Sequence, residues 1–379
     1  MSLPTLRLDR ALEPALAAKH PWIYRNHLPP HDLRTGDWVR LEAGEENALG
    51  LYDAEGGIGV RRFDAPGVPD RAWLEGRVKT ALELRALLPE HTDAYRLVYG
   101  EGDGLPGIVA DRYGRFVVLK SYARSVEGLL PEVAAILVRL LKPRGVLWRN
   151  DAGLEALRGE LPPPELTVRE NGLRFLANLY EGQKTGLFLD QRENRRTVQS
   201  LAAGRTVLNV FAYTGGFSVY ALAGGAERAL SVDSSSAALA DAERNVLANG
   251  FAAARHEGVV ADAFAFLSEL AASKRRFEFI VLDPPSFARA KGSRHGALRA
   301  YAKLNALALR CVEPGGLLAT SSCTAQVSPE AFRTMLAGAA QSAGVSAQVV
   351  HEAGHALDHP VPLAFPEGRY LKFVVARVS

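Results

Sequence analysis

The C-terminal half of the chain alternates between short apolar runs and stretches with helical periodicity. The apolar runs have the length of β-strands and fall at residues 206–211, 228–233, 279–283, 317–322 and 372–377. This rhythm is typical of βαβ units, in which helices cover both faces of a mostly parallel sheet. Such sheets bind ligands at the carboxyl ends of their strands. The sequence therefore predicts an α/β domain with its site along that edge.

The N-terminal half has a different pattern. Residues 6–64 consist of short alternating runs punctuated by glycine, which indicates a small β-rich module. A proline- and glycine-rich linker at 65–70 then leads into a helix, a hairpin, a second helix and further strands, as in a small α+β unit. We therefore predict three domains, at residues 1–68, 69–180 and 181–379.

Composition limits the classes of protein that fit the chain. Of its 379 residues, 47% are hydrophobic and 23% are charged, as expected of a folded globular protein. No apolar run approaches the roughly 20 residues that cross a bilayer, and no secretion signal is evident, so we expect a cytoplasmic protein without membrane contact. Two cysteines, Cys311 and Cys323, provide neither a disulfide framework nor a zinc set, and we predict no metal. The net charge of +3 permits an RNA partner.

The first predicted strand of the α/β domain ends in a glycine turn. Residues 207–218 read as an apolar strand, the pair Gly215-Gly216, and the start of a helix, so a ligand can approach the backbone closely. Tyr213 and Thr214 stand where the dinucleotide fingerprint has its early glycines. That substitution disfavours a nicotinamide cofactor and the oxidoreductase that would use it.

Acidic residues follow the next two strands. Asp233 lies where a carboxylate can accept hydrogen bonds from both ribose hydroxyls, and Asp262 lies where it can meet an adenine edge. One Asp at a strand end is more often a helix cap, but the ordered set indicates an adenosine-type cofactor. The predicted cofactor residues from these strand ends are Asn209, Phe211, Tyr213, Thr214, Gly215, Gly216, Asp233, Ser234, Asp262, Ala263 and Asp283.

The following two strands carry the predicted catalytic residues. Asp283 precedes Pro284 and Pro285, which fix the backbone as it leaves the sheet, and Cys323 follows the next strand at the same edge. Carbon 5 of cytosine is a poor nucleophile until a thiolate adds to carbon 6, and cysteine is suited to that addition. We therefore predict Cys323 as the nucleophile and Asp283 as the group that binds the base edge. Cys311 ends an apolar helical stretch and is predicted to pack in the core.

With these motifs, the chain resembles the bacterial family of 23S ribosomal RNA cytosine-5 methyltransferases that carry an N-terminal PUA domain. The resemblance rests on residues 20–23 (His-Pro-Trp-Ile), residues 102–107 (Gly-Asp-Gly-Leu-Pro-Gly) and residues 183–192, and it runs nearly from end to end. It implies a class I, Rossmann-like domain with a mostly parallel seven-stranded sheet and S-adenosylmethionine as cofactor. It also implies that segment 183–192 lines the cofactor pocket, through Lys184, Thr185, Phe188 and Asp190.

One departure from a related pattern concerns Ser286. Another group of cytosine-5 RNA methyltransferases has a second cysteine after a single proline, where this chain has two prolines and then Ser286. Product release must then proceed without a second thiol, and the base that removes the carbon 5 proton is not identified.

RNA contact is predicted for the N-terminal module. Trp22, Arg25 and His27 combine aromatic and basic groups suited to stacking and to phosphate contact, although Trp22 and the neighbouring Tyr24 fit the core of the module equally well. The expected partner is 23S ribosomal RNA. The sequence does not indicate which cytidine is methylated or whether the substrate is free RNA, and it leaves the oligomeric state open, a homodimer included.

Two alternatives compete with this interpretation. A methyltransferase acting on an exocyclic amino group of a purine, or on an amide, would also use an Asp-Pro-Pro sequence, but it would need no thiol, so Cys323 distinguishes it from the cytosine-5 enzyme. An RNA-binding protein with a decayed catalytic domain is the other, and the intact set from Asn209 to Cys323 argues against it.

Overall fold

The computed structural model describes residues 3–182, 184–287 and 294–379. Among these residues the chain forms two compact units. The first comprises the chain up to Asn171 together with Ala177–Leu189 and Leu357–Gly368, and the second comprises Gly172–Leu176, Asp190–Ala356 and Arg369–Ser379.

The first unit begins with a five-stranded sheet of order β1-β3-β4-β5-β2. Along residues 38–43, buried Val39 and Leu41 alternate with more exposed residues, as expected of a strand with one face on a core. The elements are β1 (Thr5–Arg7), α1 (Glu13–Ala17), β2 (Trp22–Tyr24), β3 (Trp38–Ala43), β4 (Glu46–Tyr52) and β5 (Ile58–Phe63).

A second five-stranded sheet, of order β10-β9-β8-β7-β6, completes this unit. Asp70 begins the helix before it, because its carboxylate accepts a hydrogen bond from the backbone N–H of Trp73. The elements are α2 (Arg71–Arg85), β6 (Ala94–Tyr99), β7 (Ile108–Tyr113), β8 (Phe116–Ser121), α3 (Leu130–Leu141), β9 (Gly145–Asn150) and β10 (Gly153–Gly159). Strands β11 (Leu166–Glu170) and β12 (Leu173–Ala177) follow. Both sheets lie in one unit, and the division into three domains stays a prediction.

The second unit contains a seven-stranded sheet of order β15-β14-β13-β16-β17-β19-β18, which confirms the predicted mostly parallel α/β fold. Strands β13 to β17 are parallel, whereas β19 is antiparallel to both β17 and β18. The elements are α4 (Arg192–Leu201), β13 (Thr206–Val210), α5 (Gly216–Ala223), β14 (Arg228–Asp233), α6 (Ser236–Ala248), β15 (His256–Val260), α7 (Ala263–Ser273), β16 (Phe277–Leu282), α8 (Arg294–Arg310), β17 (Val312–Ser322), α9 (Pro329–Ala343), β18 (Ala347–Ala353) and β19 (Lys372–Val378).

Both faces of this sheet are covered. Ile280 and Leu282 of β16 pack in one hydrophobic cluster with α7, α8 and α9, while Phe279 and Val281 pack in another with α4 and α5. Burial on both faces explains why the strands read as continuous apolar runs. The polar side chains therefore concentrate in the turns at the strand ends.

Candidate active site

The turn after β13 has an unusual backbone. Phe211, Tyr213 and Gly215 all have positive φ, at 61°, 46° and 74°. Residues other than glycine rarely adopt this backbone conformation, and backbone strain of this kind is often found at ligand sites. Gly215 is required here for a second reason, because a Cβ at this position would lie 2.7 Å from the Cβ of Ala242. The turn thus keeps its backbone open at the carboxyl edge.

Asp233, at the end of β14, is tied to this turn. Its Oδ2 accepts a hydrogen bond from the backbone N–H of Tyr213 at 2.8 Å, and its Oδ1 accepts one from the N–H of Ser235 at 3.0 Å. Each carboxylate oxygen retains a lone pair that can accept from a hydroxyl. The half-buried carboxylate therefore fits the ribose of an adenosine-type cofactor, and exposed Ser234 follows it.

Asp262 lies at the carboxyl end of β15, but its side chain has a local partner. Its Oδ1 accepts a hydrogen bond from the backbone N–H of Ala265 at 2.9 Å and so caps α7. Asp262 is exposed, and Ala263, the first residue of the helix, is buried. The helix-cap interpretation is thus correct for Asp262, and its contact with a cofactor stays a prediction.

Asn209 is completely buried, and its side chain forms hydrogen bonds inside the second unit. Its Nδ2 donates to Ser218 Oγ at 3.0 Å, and the network continues through Ser231 to His256 Nε2, with distances of 2.7 and 2.8 Å. The carbonyl of Thr214 accepts from Asn245 Nδ2 at 2.9 Å. These bonds hold β13, β14 and α5 together beneath the turn that ends at Gly216.

Segment 183–192 is divided between the two units, and Gln183 lies outside the described residues. In the first unit, buried Thr185 donates to Asp111 Oδ2 at 2.6 Å, and Lys184 Nζ lies 4.5 Å from the ring centroid of Phe188. In the second unit, Asp190 Oδ2 accepts a 2.6 Å hydrogen bond from the hydroxyl of Tyr370. The roles of Lys184, Thr185, Phe188 and Asp190 toward a cofactor stay predictions.

Asp283 joins the ends of two neighbouring strands. Its Oδ1 accepts a hydrogen bond from Gln191 Nε2 at 2.9 Å and another from the hydroxyl of Ser321, near the end of β17. Parallel pairing of β16 with β17 brings these ends to one edge of the sheet. The carboxylate is therefore bonded to the residue that stands two positions before the predicted nucleophile.

Cys323 is partly exposed, and the turn that carries it is bonded to the Asp-Pro-Pro loop. The hydroxyl of Thr324 lies 3.0 Å from the Ser286 hydroxyl and 2.8 Å from that of Tyr301, and the latter also donates to the carbonyl of Pro285 at 3.4 Å. Four neutral groups thus connect the two loops that the sequence predicts to meet.

Two residues in this region escaped the sequence-based prediction. Tyr301, from α8, is fully buried, and burial raises the pKa of its phenol. Lys372, the first residue of β19, is 4% exposed, and its Nζ donates to the carbonyl of Thr324 at 2.6 Å. A lysine directly before the apolar run 373–376 was the signal available in the sequence.

In the first unit, Trp22 and Arg25 have internal partners. Trp22 Nε1 donates to Glu101 at 2.8 Å, and its ring packs edge-on against Phe365 with the centroids 4.5 Å apart. The Arg25 guanidinium donates to the carbonyls of Asp53, Glu55 and Gly56 and to the hydroxyl of Tyr52. Both side chains therefore stabilise the module, and His27 is the exposed member of the predicted set.

Two negative observations apply to the described part of the chain. No cluster of three or more His, Cys, Asp or Glu residues there could hold a metal ion. None of the helices described is long and apolar enough to span a membrane.

Comparison with known proteins gives two family matches. Residues 114–351, more than half of the chain, match the S-adenosylmethionine-dependent methyltransferase family, and residues 6–64 match a PUA-like domain. The strained turn, the half-buried Asp233 and the carboxyl-edge position fit that cofactor, which the sequence had indicated.

Similar proteins extend over the whole chain. A ribosomal RNA large subunit methyltransferase I of Klebsiella pneumoniae is 37% identical over 99% of this chain and 98% of its own length. A ribosomal RNA large subunit methyltransferase of Deinococcus radiodurans is 38% identical over 99% of this chain and 97% of its own.

Solved structures show the same fold. A methyltransferase complexed with SAH has a TM-score of 0.90 at 24% identity, covering 99% of this chain and all of the other. A methyltransferase from Streptococcus mutans has a TM-score of 0.89 at 24% identity, with the same coverage. The chain therefore belongs to the family of S-adenosylmethionine-dependent methyltransferases with a PUA-like domain that includes the ribosomal RNA large subunit methyltransferases I.

Proposed function

We propose that this enzyme transfers the methyl group of S-adenosylmethionine to carbon 5 of a cytidine in 23S ribosomal RNA, through a covalent adduct of Cys323. The observation that carries the proposal is the pair of hydrogen bonds that the Thr324 hydroxyl forms with those of Ser286 and Tyr301, which joins the cysteine turn to the Asp-Pro-Pro loop. The names of the relatives, all large-subunit methyltransferases, support the choice of ribosomal RNA.

The chemistry needs a nucleophile at carbon 6. The Cys323 thiolate forms an S–C6 bond, and the electron pair of the C5–C6 double bond becomes available at carbon 5. S-adenosylmethionine, when bound, supplies an electrophilic methyl group on a sulfonium. After carbon 5 has taken the methyl group and lost its proton to a base, the C6–S bond breaks and the thiolate is regenerated.

Asp283 is suited to hold the base in this reaction. Gln191 and Ser321 donate to its Oδ1, so the carboxylate is fixed in orientation before a substrate arrives. A carboxylate in this position can accept a hydrogen bond from the amino edge of cytosine and favour protonation at ring nitrogen 3. A base that presents a carbonyl oxygen at this position, as uracil does, would be repelled by the carboxylate.

The first unit is proposed to bind the RNA. The match to a PUA-like domain supports this role, with exposed His27 as a contact residue and with Trp22 and Arg25 keeping the module in shape. The predicted domains at 1–68, 69–180 and 181–379 would then divide RNA binding from methyl transfer. We propose that the enzyme works in the cytoplasm, where ribosomal RNA is found.

The test combines product analysis with trapping of the adduct. Wild-type enzyme and the Cys323→Ala and Cys311→Ala variants are incubated with ribosomal RNA and tritiated S-adenosylmethionine, and the product nucleoside is identified by mass spectrometry. Wild type and Cys311→Ala are expected to make 5-methylcytidine, while Cys323→Ala loses at least about three orders of magnitude in rate. A 5-fluorocytidine RNA should form a denaturation-resistant complex with the same two proteins.

Another outcome would refute the proposal. A purine methylated on its exocyclic amino group, formed equally by wild type and Cys323→Ala, would show that the enzyme acts on an amino group and does not need the thiol. A 5-methylcytidine product formed without Cys323 would remove the covalent step but keep the substrate.

A further inference from the structure

Lys372 is a buried ammonium beside the proposed nucleophile. It is the first residue of β19, and antiparallel pairing places it opposite Ser322, the residue before Cys323. Its side chain is almost fully buried, with 4% of the residue exposed. A charged group in such a position needs a compensating partner, because an unpaired buried charge is costly.

The partners that the structure gives to Lys372 are neutral. Its Nζ donates to the carbonyl oxygens of Thr324 and Tyr370, both at 2.6 Å, and an ammonium has three N–H donors. No carboxylate of the described residues forms an ion pair with it. Burial lowers the pKa of Lys372 to about 8, and the Cys323 side chain acts in the opposite direction. The thiolate of Cys323 is therefore the anion that this ammonium is placed to meet.

Among the other titratable groups bonded near this turn, Tyr301 and Asp283 cannot supply a positive charge. His355 Nε2 accepts a hydrogen bond from a backbone N–H, which a protonated ring nitrogen cannot do. Tyr301 is neutral over the working range, since burial raises the pKa of its phenol. Asp283 is hydrogen-bonded to Ser321, and a carboxylate there opposes the ionisation of a nearby thiol. A cation is thus needed to keep Cys323 ionised beside Asp283, and Lys372 provides it.

We propose that Lys372 is a positioning residue whose ammonium is the counter-ion of the Cys323 thiolate. The thiol proton leaves to solvent, and the two carbonyl acceptors hold the ammonium in place while the sulfur becomes nucleophilic. The inference rests on the proposed role of Cys323 as the nucleophile. Lys372 then acts while the covalent adduct forms and not in a later step.

The pH dependence of alkylation tests this assignment. Cys323 is titrated with iodoacetamide in a Cys311→Ser background, with the modified peptide quantified by mass spectrometry. The pH midpoint is the readout, because a thiolate of lower pKa is also intrinsically less reactive and the rate alone understates the change. We expect a midpoint below the ordinary thiol value of about 8.5 in this background.

Three variants at position 372 sharpen the test. In Lys372→Met the pH midpoint of Cys323 alkylation should rise by about one pH unit or more, whereas in Lys372→Arg it should stay low. Lys372→Gln is neutral but can still donate to both carbonyls, so it should behave like Lys372→Met even if the methionine variant is unstable. An unchanged midpoint in Lys372→Gln, with a native circular dichroism spectrum and melting curve, would overturn the inference.

Trapping of the covalent RNA adduct tests this inference separately from the proposed function. With 5-fluorocytidine RNA the reaction stops before proton removal, so Lys372→Gln should form the adduct more slowly than Lys372→Arg. Normal adduct formation with lost turnover would place Lys372 at a later step and overturn the proposal. Methylation that survives Cys323→Ala would instead count against the proposed function, whatever the titration shows.

Discussion

Strand β17 has a cysteine at each end, and the two thiols have opposite surroundings. Cys311, just before the strand, is fully buried, and burial raises its pKa to about 11. Cys323, just after the strand, is partly exposed and lies next to the carbonyl that accepts from Lys372. The same residue type is thus a packing group at the amino edge of the sheet and the proposed nucleophile at the carboxyl edge. Parallel strands collect loops and polar groups at the carboxyl edge, which explains the difference.

The largest effect expected from this contrast is in thiol reactivity. At pH 8 a thiol with a pKa of about 11 is only about one part in a thousand ionised, and burial also denies access to the reagent. Iodoacetamide should therefore modify Cys323 on the order of 10³-fold faster than Cys311 in the native enzyme, as measured by peptide mass spectrometry. Comparable alkylation rates for Cys311 and Cys323 would contradict the proposed difference in reactivity.

Carboxylates at the two ends of β16 give the next comparison. Asp283→Asn should lower the rate of methyl transfer by about a hundredfold or more, because it removes a fixed charge from the reacting base. Glu278, near the amino end, accepts from the backbone N–H and the hydroxyl of Thr206. Glu278→Gln should change the rate by less than about twofold. Single-turnover kinetics would measure both, and equal losses would contradict the assignment.

Two glycines with positive φ flank β13 and make a matched pair. At Gly204, with φ of 69°, a Cβ would point into open space with no atom within 4 Å, whereas at Gly215 it would lie 2.7 Å from the Ala242 side chain. Gly204→Ala should cost about 1 kcal/mol in the free energy of unfolding, from backbone strain alone. Gly215→Ala should cost about 2–4 kcal/mol and weaken S-adenosylmethionine binding about tenfold, as followed by urea unfolding and calorimetry. Equal binding by both variants would mean that the turn does not hold the cofactor.

The smallest effect concerns His256, at the amino end of β15. Burial lowers its pKa, so the unfolded chain takes up a proton at a higher pH than the folded chain does. The folded state should lose stability from this residue as the pH falls below about 6.5, the value for an unperturbed histidine. Urea unfolding at pH 7.5 and pH 5 should show a smaller loss for His256→Gln than for wild type. Equal losses of stability in wild type and His256→Gln would show that burial of His256 does not make the stability depend on pH in this way.

The sheet was predictable from the sequence where burial is complete. Strands β13, β16 and β17 are apolar on both faces, so their runs stand out from the flanking helices. Strands β10 and β18 were not predicted, because most of their side chains are exposed or half-buried and give no apolar alternation. Their positions depend on pairing with a neighbour, which is a long-range property.

The positions of the candidate residues at the sheet edge could be predicted from the strand ends, but the partners of their side chains could not. Asp283 and Cys323 follow directly from the order of apolar runs. Lys372 could not be assigned, since only the antiparallel insertion of β19 brings it opposite Ser322. The sequence allowed Trp22 either to contact RNA or to pack in the core, and its ring packs against Phe365, which is far away in the sequence. Periodicity shows which residues end a strand, but not which partners their side chains find.

The insertion of β19 also bears on when the enzyme becomes reactive. This strand follows β18 in the chain but pairs between β17 and β18, so it enters the sheet after its neighbours have been synthesised. Pairings between distant segments form slowly, because the intervening loop must close first. If Lys372 is the counter-ion of Cys323 as proposed, the thiol would until then ionise as an ordinary cysteine does. On that proposal, a half-folded molecule would hold a smaller fraction of Cys323 as thiolate at neutral pH than the native enzyme does, so the ionisation of the nucleophile would be a consequence of completed folding.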